Sequence, residues 1–301
     1  MDRKFLLGLD SSTYEHPLDK KFLNILKGKT GFETVTNAFL NWTYLKWNIV
    51  ALKGGCFQIT PESCKALYDQ IVDVANTLDV HPIPALYTQW EYAINGCTTG
   101  FGDDTLMILK SGAVDLLSEE ELRYVVGHEF GHIKSDHVMY HMMANMFSDF
   151  IGQVPIIGNL ASPLKYLLLY WSRMSEFTAD RAGLLACQDI DVALHSIVKM
   201  AGLPIKYFDT NIIDGFIKQA ESFQLDLNDF SDRAIKTITI ATSSHPWTVL
   251  RASELLKWYR SGEYENILSS KSNDVCVYPD CAKPIKKNSE FCPYCGRAQN
   301  I

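Results

Sequence analysis

The sequence predicts an α+β fold that is mostly helical, with a small sheet and a separate cysteine-containing module at its C-terminal end. Three observations support this prediction. Apolar residues recur at helical spacing in several long stretches. Two short strand patterns lie in the first half of the chain, at 85–89 and 105–109. Four of the 8 cysteines lie after residue 275, where they are typical of a metal-binding cluster in a reducing compartment.

Length and charge limit the functions that are compatible with the chain. The 301 residues can form one large core or two to three modest domains, and a composition of 47% hydrophobic and 21% charged residues is typical of folded proteins. The 28 basic and 35 acidic residues give a net charge of −7, which opposes attraction to nucleic-acid phosphates. We therefore expect no nucleic-acid partner.

The beginning of the chain has no small-residue cleavage site after its short apolar stretch, so we expect no secretory signal. This favours a cytoplasmic location, with peripheral contact to a membrane as the alternative. No oligomeric state is predicted.

The patterns divide the chain into four segments. Residues 1–55 form an N-terminal helical segment, in which apolar spacing predicts a helix that stops at Gly28. Residues 56–265 form the main domain. Residues 266–273 are rich in serine, lysine and asparagine and are typical of a linker, and 274–301 form the C-terminal module.

The main domain begins with a helix predicted from Pro61 to Leu78. The two strands follow, and residues 94–100 between them are expected to be extended. Ser118 followed three residues later by Glu121 is typical of a capping box and predicts the start of a helix.

Later elements are helical. Helices are predicted over 164–187 and 248–259. The uncharged residues 150–164 are interrupted by glycine and proline and are too few to span a membrane, so we expect a hairpin that is buried or in contact with lipid.

The capped helix contains His128-Glu129-Phe130-Gly131-His132. Residues four apart lie about 40° apart around a helix axis, so both imidazoles can reach one zinc ion. Glu129 is offset by one residue and can take a proton from a metal-bound water that attacks a peptide carbonyl. The alternative is a histidine pair that only packs. Gly131, which lets another backbone approach closely, favours a catalytic site.

A catalytic zinc ion needs a third protein ligand. Glu176 and Asp180 lie four residues apart on a predicted helix, so one carboxylate can bind the metal while the other orients a ligand histidine. Without the histidine pair, both would be interpreted as part of a solvated acidic face.

The histidines beyond the motif are interpreted as structural. A third ligand histidine six residues after His132 would indicate another class of zinc peptidase, but that position is Val138. On a continuous helix, His137 and His141 would point away from His128 by about 180° and 220°.

These residues resemble the gluzincin peptidases of the HtpX and CAAX prenyl protease type. The resemblance covers residues 80–256 and rests on five segments: 95–100, 119–122, 128–132, 176–181 and 244–246. It implies a gluzincin fold with the sheet beside the motif helix. Many members have membrane-spanning helices, and this chain has no comparable segments, so a soluble member is expected.

The resemblance also implies roles for the residues. His128, His132 and Glu176 are implied zinc ligands, Glu129 the general base and acid, and Asp180 the residue that orients a ligand.

Three further residues follow from the resemblance. His245, in the family's His-Pro position, is implied to stabilise the oxyanion or hold the substrate. Asn95 and Gly96 are similar to the start of the family's edge-strand segment, where a strand edge can pair with a substrate backbone. Gly96 replaces the alanine that is usual there, which weakens this assignment.

The C-terminal module has the spacing of a zinc ribbon, with ligands Cys276, Cys281, Cys292 and Cys295. Four thiolates leave no position for water, so this zinc ion is expected to be structural. Disulfides or free thiols are the alternatives. We expect the ribbon to bind partner proteins or recruit substrates.

Together these patterns predict a zinc-dependent endopeptidase that acts on protein or peptide substrates, with one catalytic and one structural Zn²⁺. The alternative is a catalytically idle adaptor or holdase with the same fold. A third hypothesis is latency, in which residues 1–55 or the ribbon cover the cleft.

Overall fold

A computed structural model describes the chain over most of its length. The described residues are 3–28, 36, 43–100, 102–149, 161–209, 211–229, 247–271, 276–278, 281, 285, 289–292 and 294–299. Its helices are α1 (Pro17–Lys27), α2 (Thr43–Gly55), α3 (Lys65–Leu78), α4 (Ser111–Leu116), α5 (Glu119–Lys134), α6 (Val138–Asp149), α7 (Ala161–Cys187), α8 (Ile190–Met200), α9 (Ile212–Asp229), α10 (Thr248–Arg260) and α11 (Glu263–Ser269). Short 3₁₀ helices lie at Ser11–Thr13, Gly102–Asp104 and Ile205–Tyr207.

A four-stranded sheet accompanies these helices. Its strands are β1 (Phe57–Ile59), β2 (Ala85–Gln89), β3 (Gly96–Thr99) and β4 (Leu106–Lys110), in the order β1-β2-β4-β3. The central strands β2 and β4 are parallel, and both outer pairs are antiparallel. The predicted α+β fold with mostly helical content is confirmed, and β3 lies at an edge of the sheet.

The motif helix α5 begins as predicted. Ser118 is its N-cap, its hydroxyl accepts a bond from the Glu121 N–H, and the Glu121 carboxylate accepts one from the Ser118 N–H. This capping box satisfies donors that the first turn leaves unpaired.

Helices α5 and α7 approach each other closely because small residues line the contact between them. A Cβ atom at Gly131 would lie 2.6 Å from the Ala182 Cβ, and one at Gly127 would lie 2.3 Å from the Ala186 Cβ. Any larger side chain at either glycine would force α5 and α7 apart. This contact places the histidine motif opposite Glu176.

The end of α5 corrects one expectation from the sequence. Asp136 adopts a left-handed conformation with φ of 57°, and the His137 N–H donates to the His132 carbonyl at 3.0 Å. This turn ends the helix, and the separate helix α6 begins at Val138. The prediction that His137 and His141 point away from the motif is wrong, because it assumed a continuous helix.

The N-terminal segment packs against the main domain. Leu6, Leu9 and Tyr14 are buried in the principal core, together with residues of α3, α5, α7, α8 and α10. Helix α1 contributes Leu23 and Leu26 to a second cluster with residues of α6 and α7.

The division of the chain into four segments stays a prediction. Helix α11 continues to Ser269 and so enters the stretch 266–273 that the sequence suggests as a linker. Of the predicted hairpin, residues 150–160 lie outside the described part. No described helix has the length and apolar character needed to cross a bilayer.

Candidate active site

Three side chains from α5 and α7 converge at the centre of the molecule. The Nε2 atoms of His128 and His132 are 3.2 Å apart, and the Glu176 carboxylate oxygens lie 3.4 Å from the first and 3.5 Å from the second. Ligands about 2.0–2.1 Å from a tetrahedral zinc ion are separated by about 3.3–3.4 Å. All three side chains are buried. Their donor set and spacing fit a zinc ion with three protein ligands.

Glu129 lies between this cluster and the edge strand. Its Oε2 accepts a hydrogen bond of 2.8 Å from the Thr98 hydroxyl of β3. Burial raises the pKa of Glu129, although the neighbouring His128 and the Thr98 bond oppose the increase. A carboxyl group with a raised pKa can both accept and return a proton near neutral pH.

Gly96 makes room for this glutamate. A Cβ atom at position 96 would lie 2.9 Å from the Glu129 Cγ and 3.0 Å from its Oε1. The lack of a side chain at position 96 therefore permits the close contact between β3 and Glu129. Asn95 precedes the strand, and its carbonyl accepts a bond of 3.0 Å from the Lys110 N–H.

Asp180 lies behind His128, on the side away from the cluster. Its Oδ1 is 3.0 Å from the His128 Nδ1 and accepts a bond of 2.8 Å from the Tyr124 hydroxyl. A histidine that donates from Nδ1 keeps the lone pair of Nε2 for a metal. This geometry is the one expected for a carboxylate that orients a metal ligand.

Arg251 of α10 was not identified from the sequence. Its Nε donates to the Asp180 Oδ2 at 2.9 Å and its Nη2 to Oδ1 at 2.5 Å, which is a two-pronged ion pair. Burial alone would raise the pKa of Asp180, but Arg251 and His128 hold it well below its usual range. No local pattern marks Arg251, because its partner lies 71 residues away in sequence.

His132 has a different set of contacts behind it. Its Nδ1 lies 3.2 Å from the His137 Nδ1, and the His137 Nε2 lies 3.0 Å from the Asp19 Oδ2 of α1. Asp19 is fully buried. Asp19 of the N-terminal segment is thus connected to the ligand cluster through one side chain, that of His137.

One predicted site residue lies outside the described part of the chain. His245 falls in the stretch 241–246, outside the described residues, so its predicted role is not tested by the structure. Of the other residues predicted for the catalytic site, His128, Glu129, His132, Glu176, Asp180 and Gly96 lie together, and Asn95 directly precedes Gly96 at the start of β3.

The four C-terminal cysteines form a second cluster. The sulfur atoms of Cys276 and Cys295 are 3.7 Å apart, as are those of Cys281 and Cys292, and all four lie within 4.8 Å of one another. These distances exceed the disulfide bond length of about 2.05 Å. Sulfur ligands about 2.3 Å from a tetrahedral zinc ion are about 3.8 Å apart, so the cluster fits a four-thiolate zinc site.

Comparison with known proteins gives one family and several relatives. The model of peptidase family M48 matches residues 65–259. The chain is 30% identical to the plastoglobule-localized metallopeptidase 48, chloroplastic, of Arabidopsis thaliana, over 89% of this chain and 78% of that protein.

Bacterial relatives are more distant. A protease HtpX homolog of Sulfurihydrogenibium sp. is 28% identical over 53% of this chain and 65% of its own length. A protease HtpX homolog of Burkholderia cenocepacia is 24% identical over 69% of this chain and 79% of its own length. No solved structure matches the chain.

Proposed function

Because this chain belongs to peptidase family M48, we propose that it is a zinc-dependent endopeptidase that hydrolyses peptide bonds in proteins or peptides. The observation that carries the proposal is the convergence of His128, His132 and Glu176 at the spacing of a tetrahedral metal, with Glu129 beside them. In this proposal His128, His132 and Glu176 bind the zinc ion. A bound zinc ion lowers the pKa of a water molecule and polarises the substrate carbonyl.

Glu129 is proposed to move the protons. Its carboxylate removes a proton from the attacking water and later delivers that proton to the leaving amine. The Thr98 hydroxyl fixes one of its oxygens. The other, Oε1, faces the space beside Gly96.

Strand β3 is proposed to hold the substrate. No described strand pairs with the outer side of β3, and we propose that an extended peptide pairs with that side of its backbone. Pairing through backbone groups depends little on side chains, which favours broad specificity. Asn95 and Gly96 lie at the start of this strand. His245 is proposed to stabilise the oxyanion, as the family resemblance implies.

The cysteine cluster is proposed to hold a second, structural zinc ion and to present a surface for partner proteins or substrates. This proposal is supported by the tetrahedral spacing of its sulfur atoms. The name of the Arabidopsis relative places that protein at plastoglobules. For this chain a cytoplasmic location stays a prediction from the sequence.

A purified chain with its zinc should hydrolyse casein or a quenched fluorescent peptide. The Glu129→Gln variant should keep its zinc and lose about 10²–10⁴-fold in rate, which is the usual contribution of a general base. Glu119→Gln is a matched control, because Glu119 is an exposed glutamate on the same helix.

A Glu129→Gln variant that cleaves at the wild-type rate would contradict the mechanism. A chain that contains both zinc ions, cleaves no substrate in a diverse panel and retains a stable partner in pulldown would favour the adaptor hypothesis instead.

A further inference from the structure

His132 is in contact with another histidine on the side away from Glu176. Its Nε2 faces the proposed metal site, and its Nδ1 lies 3.2 Å from the Nδ1 of His137. Both rings are buried, and His137 is completely inaccessible to solvent. Two ring nitrogens at this distance, screened from water, are stable when one donates a proton and the other accepts it.

The opposite nitrogen of His137 faces a buried carboxylate. The Asp19 Oδ2 lies 3.0 Å from the His137 Nε2, in a contact that is short but bent away from a straight hydrogen bond. The Trp171 indole donates to the Asp19 Oδ1 at 2.8 Å, and the Thr178 hydroxyl donates to Oδ2 at 2.6 Å. Asp19 is therefore a fully buried carboxylate whose partners are fixed from several sides.

These contacts allow one arrangement of protons. A zinc ion on the His132 Nε2 requires the proton of that ring to be on Nδ1. Its partner there among the described residues is the Nδ1 of His137, which must be unprotonated to accept it. His137 must then carry its proton on Nε2, which faces the Asp19 carboxylate. His132 then donates from Nδ1, His137 accepts at Nδ1 and donates from Nε2, and Asp19 accepts, so no two donors and no two acceptors face each other.

We propose that Asp19 and His137 are positioning residues that fix the tautomer and orientation of His132, so that helix α1 forms part of the catalytic centre. The inference rests on the proposed function, because it takes His132 as a metal ligand. Asp19 precedes the residues matched by the family model, 65–259, so the match itself does not assign it. The coupling between α1 and the site is consistent with the packing of α1 on α7.

The same histidines suggest a second interpretation, which the contacts disfavour. His132, His137 and His141 lie close enough to hold a metal ion of their own. Such an ion would require both nitrogens of His132 to bind metals at once. The nitrogens of His141, in addition, contact the hydroxyls of Ser175 at 2.7 Å and Ser172 at 3.2 Å.

The test compares two variants of the full chain. Asn has the shape of Asp, and in Asp19→Asn its oxygen can still accept from Trp171. The amide of the asparagine, however, donates toward the His137 Nε2. The His137 proton must then move to Nδ1, where it faces the proton on the His132 Nδ1, and two donors repel each other. His141→Gln is the matched control. The His141 ring lies 4.7 Å from that of His132, but His141 is not one of the three groups, Asp19, His137 and His132, that form the proposed proton relay.

Zinc affinity is measured by competition with a chromogenic chelator, and the ion of the cysteine cluster is identified by its loss in Cys292→Ser. We expect Asp19→Asn to weaken zinc binding at the central site by about 10–100-fold, the usual effect of removing a group that orients a metal ligand. His141→Gln should bind zinc within about twofold of the wild-type chain, because groups outside the relay leave ligand orientation unchanged. Equal losses in both variants, or unchanged affinity in Asp19→Asn, would overturn the relay.

Two-bond ¹⁵N–¹H spectra of the imidazole rings give a second measurement, which needs only the zinc-loaded wild-type chain. We expect His132 to be protonated on Nδ1 and His137 on Nε2. Protonation of His137 on Nδ1 would overturn the inference even if Asp19→Asn does not fold. A third zinc ion per chain that His141→Gln removes would also overturn it.

A chain that meets these expectations but hydrolyses nothing would support the relay and contradict the proposed function. A chain that hydrolyses its substrates, but whose Asp19→Asn variant binds zinc as tightly as the wild-type chain, would support the proposed function and contradict the relay.

Discussion

The two clusters of metal-binding side chains are built in opposite ways. The cysteine cluster takes all its donors from one short stretch at the C-terminal end, and its geometry depends on local turns such as that at Gly296. The central cluster takes its donors from α5 and α7, and each histidine is supported by residues from other parts of the chain. We therefore expect the core to stay folded when the cysteine cluster is disrupted. The side chains of the central cluster, in contrast, are part of the core.

The supporting residues of the central cluster also differ between its two histidines. His128 is backed by Asp180 and Arg251, an ion pair in which both charges are buried and satisfied. His132 is backed by a second histidine and then by Asp19. The first arrangement joins α10 to the site and the second joins α1. The site therefore depends on both ends of the folded domain.

The largest expected effect separates the two clusters. Glu176→Gln should remove the central zinc ion and reduce peptidase activity to background, because a neutral amide is a poor zinc ligand. Cys292→Ser should remove the other ion and leave activity on a small peptide largely intact. Zinc content measured by mass spectrometry, together with peptide hydrolysis, checks both variants.

The proposed difference between the two clusters is contradicted if Glu176→Gln and Cys292→Ser lose the same zinc ion. It is also contradicted if Cys292→Ser abolishes cleavage of a small peptide. Cleavage of casein that falls while peptide cleavage stays would instead support substrate recruitment by the cysteine module.

The next effect concerns the buried ion pair. Arg251→Leu should lower the free energy of unfolding by about 3–5 kcal/mol, because it leaves the Asp180 charge buried without its partner. The double variant Asp180→Asn with Arg251→Leu should be less destabilised than Arg251→Leu alone, since no buried charge is left unpaired. Urea unfolding of the zinc-loaded proteins measures both. Equal destabilisation in the single and double variants would show that Arg251 acts through packing rather than charge.

Sequence spacing predicted the site residues that share a helix. It did not predict the residues that the fold brings to the site from distant parts of the chain. His128 with His132, and Glu176 with Asp180, are each four residues apart, and helical geometry alone predicts that each pair shares a face. Arg251 and Asp19 reach the site from helices far away in sequence, and no periodicity relates them to the motif.

His137 was missed for a different reason. The predicted direction of its side chain assumes a continuous helix, but α5 ends at Lys134, three residues before His137. The residue that turns the chain is Asp136 in a left-handed conformation, where glycine is the usual residue. With aspartate at this position, the signal for a helix end is weak. The close approach of another element to α5, by contrast, was indicated by Gly131, which lies against Ala179 and Ala182 of α7.

The pH dependence of zinc binding should also distinguish the clusters. Burial lowers the pKa of His128, but its contacts with Asp180 and Glu176 outweigh this and raise the pKa to about 9 in the metal-free protein. Burial lowers the pKa of His132 to about 4. Between pH 5 and 8 zinc must therefore displace one proton, from His128, and the affinity of the central site should rise about tenfold per pH unit.

The cysteine cluster should show a steeper dependence. Hydrogen bonds involving Arg297 lower the pKa of Cys295 to about 6, but thiols ordinarily ionise near pH 8.5 and every thiolate ligand must lose its proton. Calorimetry in buffers of different ionisation enthalpy counts the protons released at each site. A central site that releases two or more protons at pH 7 would contradict the assignment of a single displaced proton.

The smallest effect tests how the edge strand β3 influences Glu129, the proposed general base. The hydrogen bond from Thr98 lowers the pKa of Glu129 and so opposes the increase caused by burial. Thr98→Val keeps the shape of the side chain and removes this bond. The pKa of Glu129 should then rise, and the acid limb of the profile of kcat/KM against pH should move to higher pH.

At neutral pH the loss in Thr98→Val should stay within about tenfold, because one hydrogen bond to a charged group contributes about 1.5–3 kcal/mol and part of it is replaced by water. Thr99→Val is the matched control, since Thr99 lies next to Thr98 and projects to the opposite face of the strand. If the acid limb moves equally in both variants, the strand acts on Glu129 through its backbone position. If it moves only in Thr98→Val, the same strand that is proposed to bind substrate also sets the proton affinity of the base.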